Sequence, residues 1–231
     1  HITGHTHIAL SNERSANEGN AFFHGLDINH QYSKSFDFEQ DFRAYTQAFL
    51  PGSPDYFSFL RPLYELQIGI LFAKAVQTTP TLGKHFLSCN VGSRTDTWCG
   101  NCPKCLFAYT LLFPLFKDHT QADRLFNLNL FDNEAMIPVM KDLLGKGTHK
   151  PLECVGLYKE TLVSAWKAIQ IYKTNNANKN LPPVLDWVDK QVIQTEDEIR
   201  LAQDWETMRQ AWNSEHAVPK TWANKLQKDF A

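Results

Sequence analysis

Apolar and polar positions fall into blocks along this chain, and each block predicts an element. His7 to Leu10 is a short apolar run that reads as a buried strand, and the polar run Ser11 to Asn20 follows at once. Polar side chains just past a strand's carboxyl end are where open α/β sheets place ligand contacts. A solvated turn accounts for that polarity equally well. Ser35 fits a helix N-cap, and Phe38, Phe42, Tyr45 and Phe49 predict a helix to about Leu50 whose aromatic stripe packs in the core. Gly52, Pro54 and Asp55 turn the chain into a second strand, Tyr56–Leu60. Pro62 suits the first turn of a helix that carries Leu63, Leu66, Ile70 and Phe72 to about Gln77. Strand–helix alternation on this scale predicts an α/β fold, a sheet with helical crossovers.

The second half reads as mainly helical. Lys104 to about Phe116 predicts a buried helix, and Asn133 caps another that ends near Leu144, where Gly145 supplies the stop. Tyr158 to Tyr172 is a further helix, and the amide-rich run Thr174–Pro183 is the best linker candidate. Beyond it, Ile199, Ala202, Trp205, Met208 and Trp212 share one helical face, so this tail is expected to lie over the body or a partner. The longest apolar stretch, Leu106 to Phe116, is broken by Pro114 and is too short to span a bilayer.

Composition narrows the class. With 43% hydrophobic and 21% charged residues over 231 positions, the chain can bury a core without disulfides. A net charge of -2 gives no electrostatic reason to expect nonspecific nucleic-acid binding. The chain opens on His1 and its first methionine is Met136, which leads us to expect a piece of a longer protein.

The chemistry concentrates at Cys89, Cys99, Cys102 and Cys105, in the run SCNVGSRTDTWCGNCPKC. Four thiols delivered by tight turns can close the tetrahedral sulfur shell that Zn²⁺ prefers, and Gly100 and Pro103 are residue types such turns need. Disulfides compete for cysteine, but the count of 5 is odd and no secretory segment is visible, which argues for a reducing compartment. An iron–sulfur cluster is the rival metal use; its C-x₃-C-P continuation is missing.

Outside the quartet the signals are weaker. Neither G-x-x-x-x-G-K-[ST] nor G-x-G-x-x-G occurs, so no self-contained phosphate loop is present. Arg14, Lys34, Arg61 and Lys104 lie beside apparent strand ends or turns, which suits phosphate or carboxylate binding, although each taken alone reads as a solubilising charge. Glu13 with Glu18, and Glu39 with Glu65, are candidate acid–base pairs. His149, Lys150, Glu153 and Cys154 form a tighter group; there Cys154 is either a proton carrier, should Lys150 lower its pKa, or a small buried hydrophobe. His5 and His7 alternate onto one side of a strand and have no third ligand, so they read as structural.

Five runs in order carry a resemblance: Ser11–Asn20, Asn29–Ser35 and Phe57–Pro62, then Ser88-Cys-Asn90 with Trp98–Cys105, and His149–Gly156. Together they resemble the carboxy-terminal part of the ATP-dependent MurL family of UDP-N-acetylmuramoyl-L-alanyl-L-glutamate epimerases, over roughly residues 1–170. The cysteine pattern is also similar to the zinc site of cyano-deazaguanine synthases, which are PP-loop ATP pyrophosphatases.

The resemblance implies the back part of a PP-loop, Rossmann-like parallel-sheet domain over residues 1–120, zinc knuckle included. A helical continuation with the HKPLECVG motif follows over 121–173, and a helical tail over 184–231. It implies cytoplasmic peptidoglycan-precursor synthesis, in which ATP adenylates the terminal glutamate of a UDP-linked muramoyl dipeptide so that its α-centre can be inverted. ATP, Mg²⁺ and a structural Zn²⁺ are the expected cofactors, with no nucleic acid or membrane as partner. The N-terminal ATP loop of the family is the expected missing segment, without which this piece is expected to be inactive. Under this resemblance Cys154, Glu153 and Glu13 are the catalytic candidates, and Asn12, Arg14, Asn20, Lys34, Arg61, Glu65 and Lys150 the substrate- or ATP-binding ones. Glu65 or Glu39 is the candidate carboxylate for Mg²⁺. The rivals are a PP-loop enzyme acting on a nucleobase or tRNA, and a zinc-knuckle binding module without catalysis.

Overall fold

A computed structural model describes residues 4–175 and 180–230, and shows a mixed α/β chain that is mainly helical. It divides into two compact units, His1–Ile68 with Gln210–Ala231 and Gly69–Arg209.

In the first unit β1 (His7–Leu10) and β4 (Asp55–Ser58) pair in parallel, with His7 opposite Asp55 and Leu10 opposite Ser58. Helix α1 (Phe36–Phe49) lies in the connection between them, as parallel pairing requires of a crossover. The second strand begins and ends earlier than the Tyr56–Leu60 expected, and β1 is mostly exposed rather than buried, with Ile8 at 45%. Among the described residues β1 pairs with β4 alone, so its other edge carries no strand. Between β1 and α1 sits a hairpin that the sequence reading did not foresee, β2 (Ala21–Phe23) with β3 (Leu26–Ile28). Its two-residue loop, His24 and Gly25, holds φ of 49° and 81°, the positive pair of a type I′ turn.

Ser35 caps α1 as expected, its side chain accepting from Phe38 N at 3.1 Å. The aromatic stripe is a correction. Phe38 and Phe42 are half-buried and Phe42 packs on Tyr56, but Tyr45 and Phe49 are 56% and 69% exposed. The buried residues of α1 are instead Glu39 and Thr46, because Glu39 turns inward to meet Arg61. The chain returns to this unit at its end. Asn213 N donates to Pro62 O at 3.0 Å, and α10 (Lys220–Phe230) sets Ala223 beside Phe57 and Val218 in a small core, with Trp222 against Phe57 and His7.

The unit boundary falls inside α2 (Glu65–Thr78), beyond which α3 (Thr81–His85) leads to the cysteines. Central to the second unit is α4 (Pro103–Leu112), apolar on every side and packed against α5 (Thr120–Phe126), α6 (Ile137–Leu143) and α7 (Tyr158–Asn175). Proline opens α4 where a missing N–H costs nothing, and Pro114 closes it. The predicted run to Phe116 therefore breaks after Leu112 into a 3₁₀ turn, Phe113–Leu115. Asn133 caps a 3₁₀ turn that feeds α6, and Gly145 at φ 67° stops the chain after it.

Thr174 and Asn175 of the expected linker are the end of α7; residues 176–179 lie outside the described residues, and Pro182 and Pro183 open α8 (Pro183–Gln191). On α9 (Glu198–Gln210) the buried face is Leu201, Trp205 and Met208. Ile199 is 71% exposed, and Trp212 lies past the helix end, so the expected stripe was one register off at its start. Among the described residues no helix is long and apolar enough to cross a membrane.

Candidate functional site

The four cysteines meet. The chain leaves α3, places Cys89, makes a 3₁₀ turn at Gly92–Arg94, reverses through Asp96 (φ 54°) and Gly100 (φ 71°), and sets Cys102 at the N-cap of α4 with Cys105 in its first turn. Gly92 is required by close approach: a Cβ there would stand 1.6 Å from Thr97 O. Trp98 walls one side, its indole donating to Phe86 O at 3.1 Å and its ring lying against Phe126.

Sγ–Sγ distances are 3.7 Å for Cys89–Cys102, 3.6 Å for Cys99–Cys105 and 3.5 Å for Cys102–Cys105, and all four ligand atoms lie within 4.8 Å of one another. A tetrahedral ion with metal–sulfur bonds of about 2.3 Å sets its sulfurs about 3.8 Å apart. The quartet has that size, and none of the five cysteines is in a disulfide.

Backbone N–H groups point at the sulfurs, Gly92 N to Cys89 Sγ at 3.1 Å among them. The hydrogen bond shared with Cys105 holds the Cys102 thiol down at about 5, and the same contact pushes Cys105 up. Burial pushes Cys99 up. One negative charge is thus favoured in this nest and further ones are resisted, which a cation at its centre would relieve. The quartet can hold a metal ion.

The turn that carries His149–Gly156 packs on the same helix. Lys104, between Cys102 and Cys105, donates from Nζ to Cys154 O at 2.8 Å. Cys154 holds φ 52°, and Gly156 lies so close to α4 that a Cβ would stand 2.5 Å from Phe107 Cζ. Lys150 is buried, with Nζ 5.6 Å from the centre of the Tyr158 ring. Glu153 and Cys154 are half-buried, while the exposed His149 bonds its neighbour Thr148. Glu160, fully buried and not foreseen, accepts from Leu157 N at 2.9 Å and closes the turn into α7.

In the first unit the predicted polar residues gather around Arg61. Its guanidinium is completely buried and donates to Glu13 O (2.7 Å), Lys34 O (2.5 Å), Asn17 Oδ1 (3.3 Å), Ser58 Oγ (3.3 Å) and Glu39 Oε2 (3.4 Å). Burial pulls its pKa down from the usual arginine value, and Glu39 pulls it back up. Arg61 therefore ties two loops to β4 rather than facing solvent, and Glu39 is its counter-ion.

Asn12 donates to Ser58 Oγ at 3.2 Å, the Glu13 carboxylate accepts from Ser15, and the Arg14 guanidinium lies over Tyr64 at 4.5 Å. Asn20 Oδ1 bonds His30 Nδ1 and its backbone pairs with β3. The exposed Lys34 ammonium reaches Gln31, and Glu65 opens α2 half-buried. The predicted residues thus fall in both units: Glu13 and Lys34 meet Arg61 through their carbonyls in the first, and the quartet and the 149–156 turn meet on α4 in the second. Two hollows of the second unit, about 320 Å³ beside Tyr172 and about 540 Å³ beside Trp98, are lined by none of them.

A polar network that the sequence reading missed lies next to the first hollow: Tyr109 OH donates to Asp123 and Asn129, and Asn129 donates to Tyr172 OH. Its members are spread over more than sixty positions, so no spacing in the sequence announces it.

Residues 85–211 match the family described as the MurL C-terminal domain, and residues 1–59 match the MurL N-terminal domain. A UDP-N-acetyl-alpha-D-muramoyl-L-alanyl-L-glutamate epimerase of Xanthomonas oryzae pv. oryzae is 35% identical over 244 residues, covering 100% of this chain and 49% of that protein. Proteins of the same description from Micromonospora sp. and Salinispora tropica are 36% and 35% identical over 157 residues, covering 68% of this chain and 35% and 34% of their own length. The chain spans between about a third and a half of the length of these relatives. No solved structure matches it.

Proposed function

Because the chain belongs to the MurL epimerase family, we propose that it serves the ATP-dependent inversion of the terminal L-glutamate of a UDP-linked muramoyl-L-alanyl-L-glutamate, a cytoplasmic step toward peptidoglycan. The observation that carries this reading is the match over residues 85–211, the stretch that contains both the cysteine quartet and the turn around Cys154.

The chemistry follows from one obstacle. An α-proton beside a carboxylate is hard to remove, because the carbanion would stand next to an existing negative charge. The carboxylate oxygen attacks the α-phosphorus of ATP and pyrophosphate leaves. The resulting acyl adenylate lacks that charge and can spread a carbanion into its enolate form. The α-proton is taken from one face and another is delivered to the opposite face, after which water releases AMP and the D-glutamate.

Cys154, with Glu153 beside it, is the group assigned to proton exchange, since a thiol works from either protonation state near neutral pH. Lys150, buried against Tyr158, supports that turn. Asn12, Glu13 and Arg14, just past the end of β1, are assigned to meet ATP or the activated carboxylate, with Asn20 and Lys34 as further binding candidates. Arg61 acts from behind them by holding the carbonyls of Glu13 and Lys34. Glu39 is committed to Arg61, and Glu65 is the carboxylate assigned to Mg²⁺, the ion that would neutralise the phosphates. The quartet is assigned to zinc. A polynuclear iron–sulfur cluster places sulfides between its irons and needs its cysteines farther apart than 3.5–3.7 Å. Four thiolates leave no open position for substrate, so the zinc is structural.

The test is solvent exchange in the full-length protein with the UDP-linked dipeptide and ATP in D₂O. In Cys154→Ala, pyrophosphate release should persist while deuterium incorporation at the α-carbon is lost. A variant that still incorporates deuterium removes Cys154 from the reaction.

A further inference from the structure

Of the two residues between Cys102 and Cys105 the second is a lysine, and that placement needs a reason. A cation in the first turn of a helix opposes the positive end of the helix dipole. Lys104 is also half-buried, so solubility does not explain it. What explains it is reach. Its Nζ donates at 2.8 Å to the carbonyl of Cys154, a residue 50 positions away. That carbonyl belongs to a residue at φ 52°, in the left-handed region where a side chain is disfavoured by about 1–2 kcal/mol. A backbone held there needs an external tie. Gly156, two residues on, is pressed against Phe107 of the same helix, and Val155 between them is buried. One end of α4 therefore carries two cysteine ligands and, through Lys104 and Phe107, the turn that presents Cys154.

We propose that Lys104 is a positioning residue that couples the metal centre to the Cys154 turn, so that filling the four-thiolate site fixes the backbone from which the Cys154 thiol is presented. With the first turn of α4 locked by the metal, Lys104 has a fixed base from which to hold Cys154 O. Without the metal, that turn of helix frays and the tie goes with it. The inference deepens the function proposed above, and rests on it only for what Cys154 does once it is in place.

The experiment measures alkylation of Cys154 by iodoacetamide, mapped peptide by peptide, in the metal-loaded full-length protein. It is paired with amide exchange over residues 152–156. Lys104→Met and Lys104→Gln, with one metal still bound, should alkylate Cys154 about tenfold faster than wild type, the scale of one charged hydrogen bond. Lys104→Arg keeps a donor of similar reach and should stay near wild type. Wild type stripped of metal should show the same loss of amide protection over 152–156 as the neutral variants.

In turnover, the neutral variants should lose α-deuterium incorporation while KM for ATP is unchanged. Rates within twofold of wild type in both neutral variants overturn the proposal. So does loss of the whole fold in both, which would make Lys104 a core support instead. If Cys154→Ala keeps exchanging deuterium while Lys104→Met still frees the turn, the coupling stands and the catalytic assignment falls.

Discussion

Gly92→Ala tests the proposed metal centre at a residue outside the cysteine quartet. The added Cβ would sit 1.6 Å from Thr97 O and 3.2 Å from Cys99 N, against a floor near 3.0 Å for real contacts. The obstruction is backbone, which cannot rotate aside, so the 92–99 loop must open by roughly 1.5 Å. That movement strains or breaks Thr95 N to Gly92 O (3.0 Å), Thr97 N to Gly92 O (3.1 Å) and Gly92 N to Cys89 Sγ (3.1 Å). At about 1 kcal/mol each, the loss is about 3 kcal/mol, or roughly a hundredfold in metal affinity where folding and binding are linked. Competition against a chromophoric chelator measures it, with Co²⁺ reporting thiolate coordination by its absorption. Gly83→Ala in α3 is the control, since a Cβ there would meet Val76 at an ordinary 3.4 Å. If Gly92→Ala binds Zn²⁺ within threefold of wild type, the loop does not have the close-packed form on which the four-thiolate geometry depends.

Arg61→Met should destabilise by about 3–5 kcal/mol in urea unfolding, because it leaves Glu39 charged and buried without a counter-ion. Adding Glu39→Gln should recover part of that loss, and an unchanged midpoint for Arg61→Met would show that the ion pair is not needed. Tyr109→Phe removes the donor shared by Asp123 and Asn129 and should cost about 1–3 kcal/mol, seen as a drop in Tm of about 2–4 °C per kcal/mol. Burial, then Asp123, push the Tyr109 pKa up. The folded state therefore binds this proton more tightly than the unfolded chain, so its contribution is complete below about pH 10 and declines as pH rises further. Alkaline unfolding above that pH should be less steep in Tyr109→Phe. It should not become flat, because Tyr56 and Tyr172 are pushed up by burial too.

What could be seen in the sequence was what short-range geometry decides. Ser35, Asn133 and Gly145 act on backbone groups within a few residues, and each stands at the element end that its chemistry implied. The quartet could be read for the same reason: three of its cysteines lie within seven positions, so the turns between them nearly determine where the sulfurs point. The hairpin at 21–28 was missed although its turn was written in the chain. His-Gly is a less familiar pair at positive φ than Asn-Gly, and the apolar residues around it, Phe22, Phe23 and Leu26, are exposed and do not alternate against a core.

Long-range choices were not visible, and Arg61 shows why. A sequence displays a charge but not the dielectric around it. Arg61 beside a strand end reads as a phosphate hook, yet the same guanidinium, with both terminal nitrogens donating to two loop carbonyls, a serine, an asparagine and a glutamate, is a buried tie. That single burial also decided the face of α1: Glu39 had to turn inward to compensate it, and Tyr45 and Phe49 were left outside. The 149–156 turn obeys the same logic. Its reactive residue types were evident from composition, but the partner that fixes Cys154 is a lysine whose meaning depends on which helix end carries it. A functional reading of this chain therefore turns less on which reactive residues it contains than on which cations are already committed. Lys104 and Arg61, each of which taken alone reads as a solubilising charge, donate to backbone carbonyls, and each holds a turn that carries candidate chemistry.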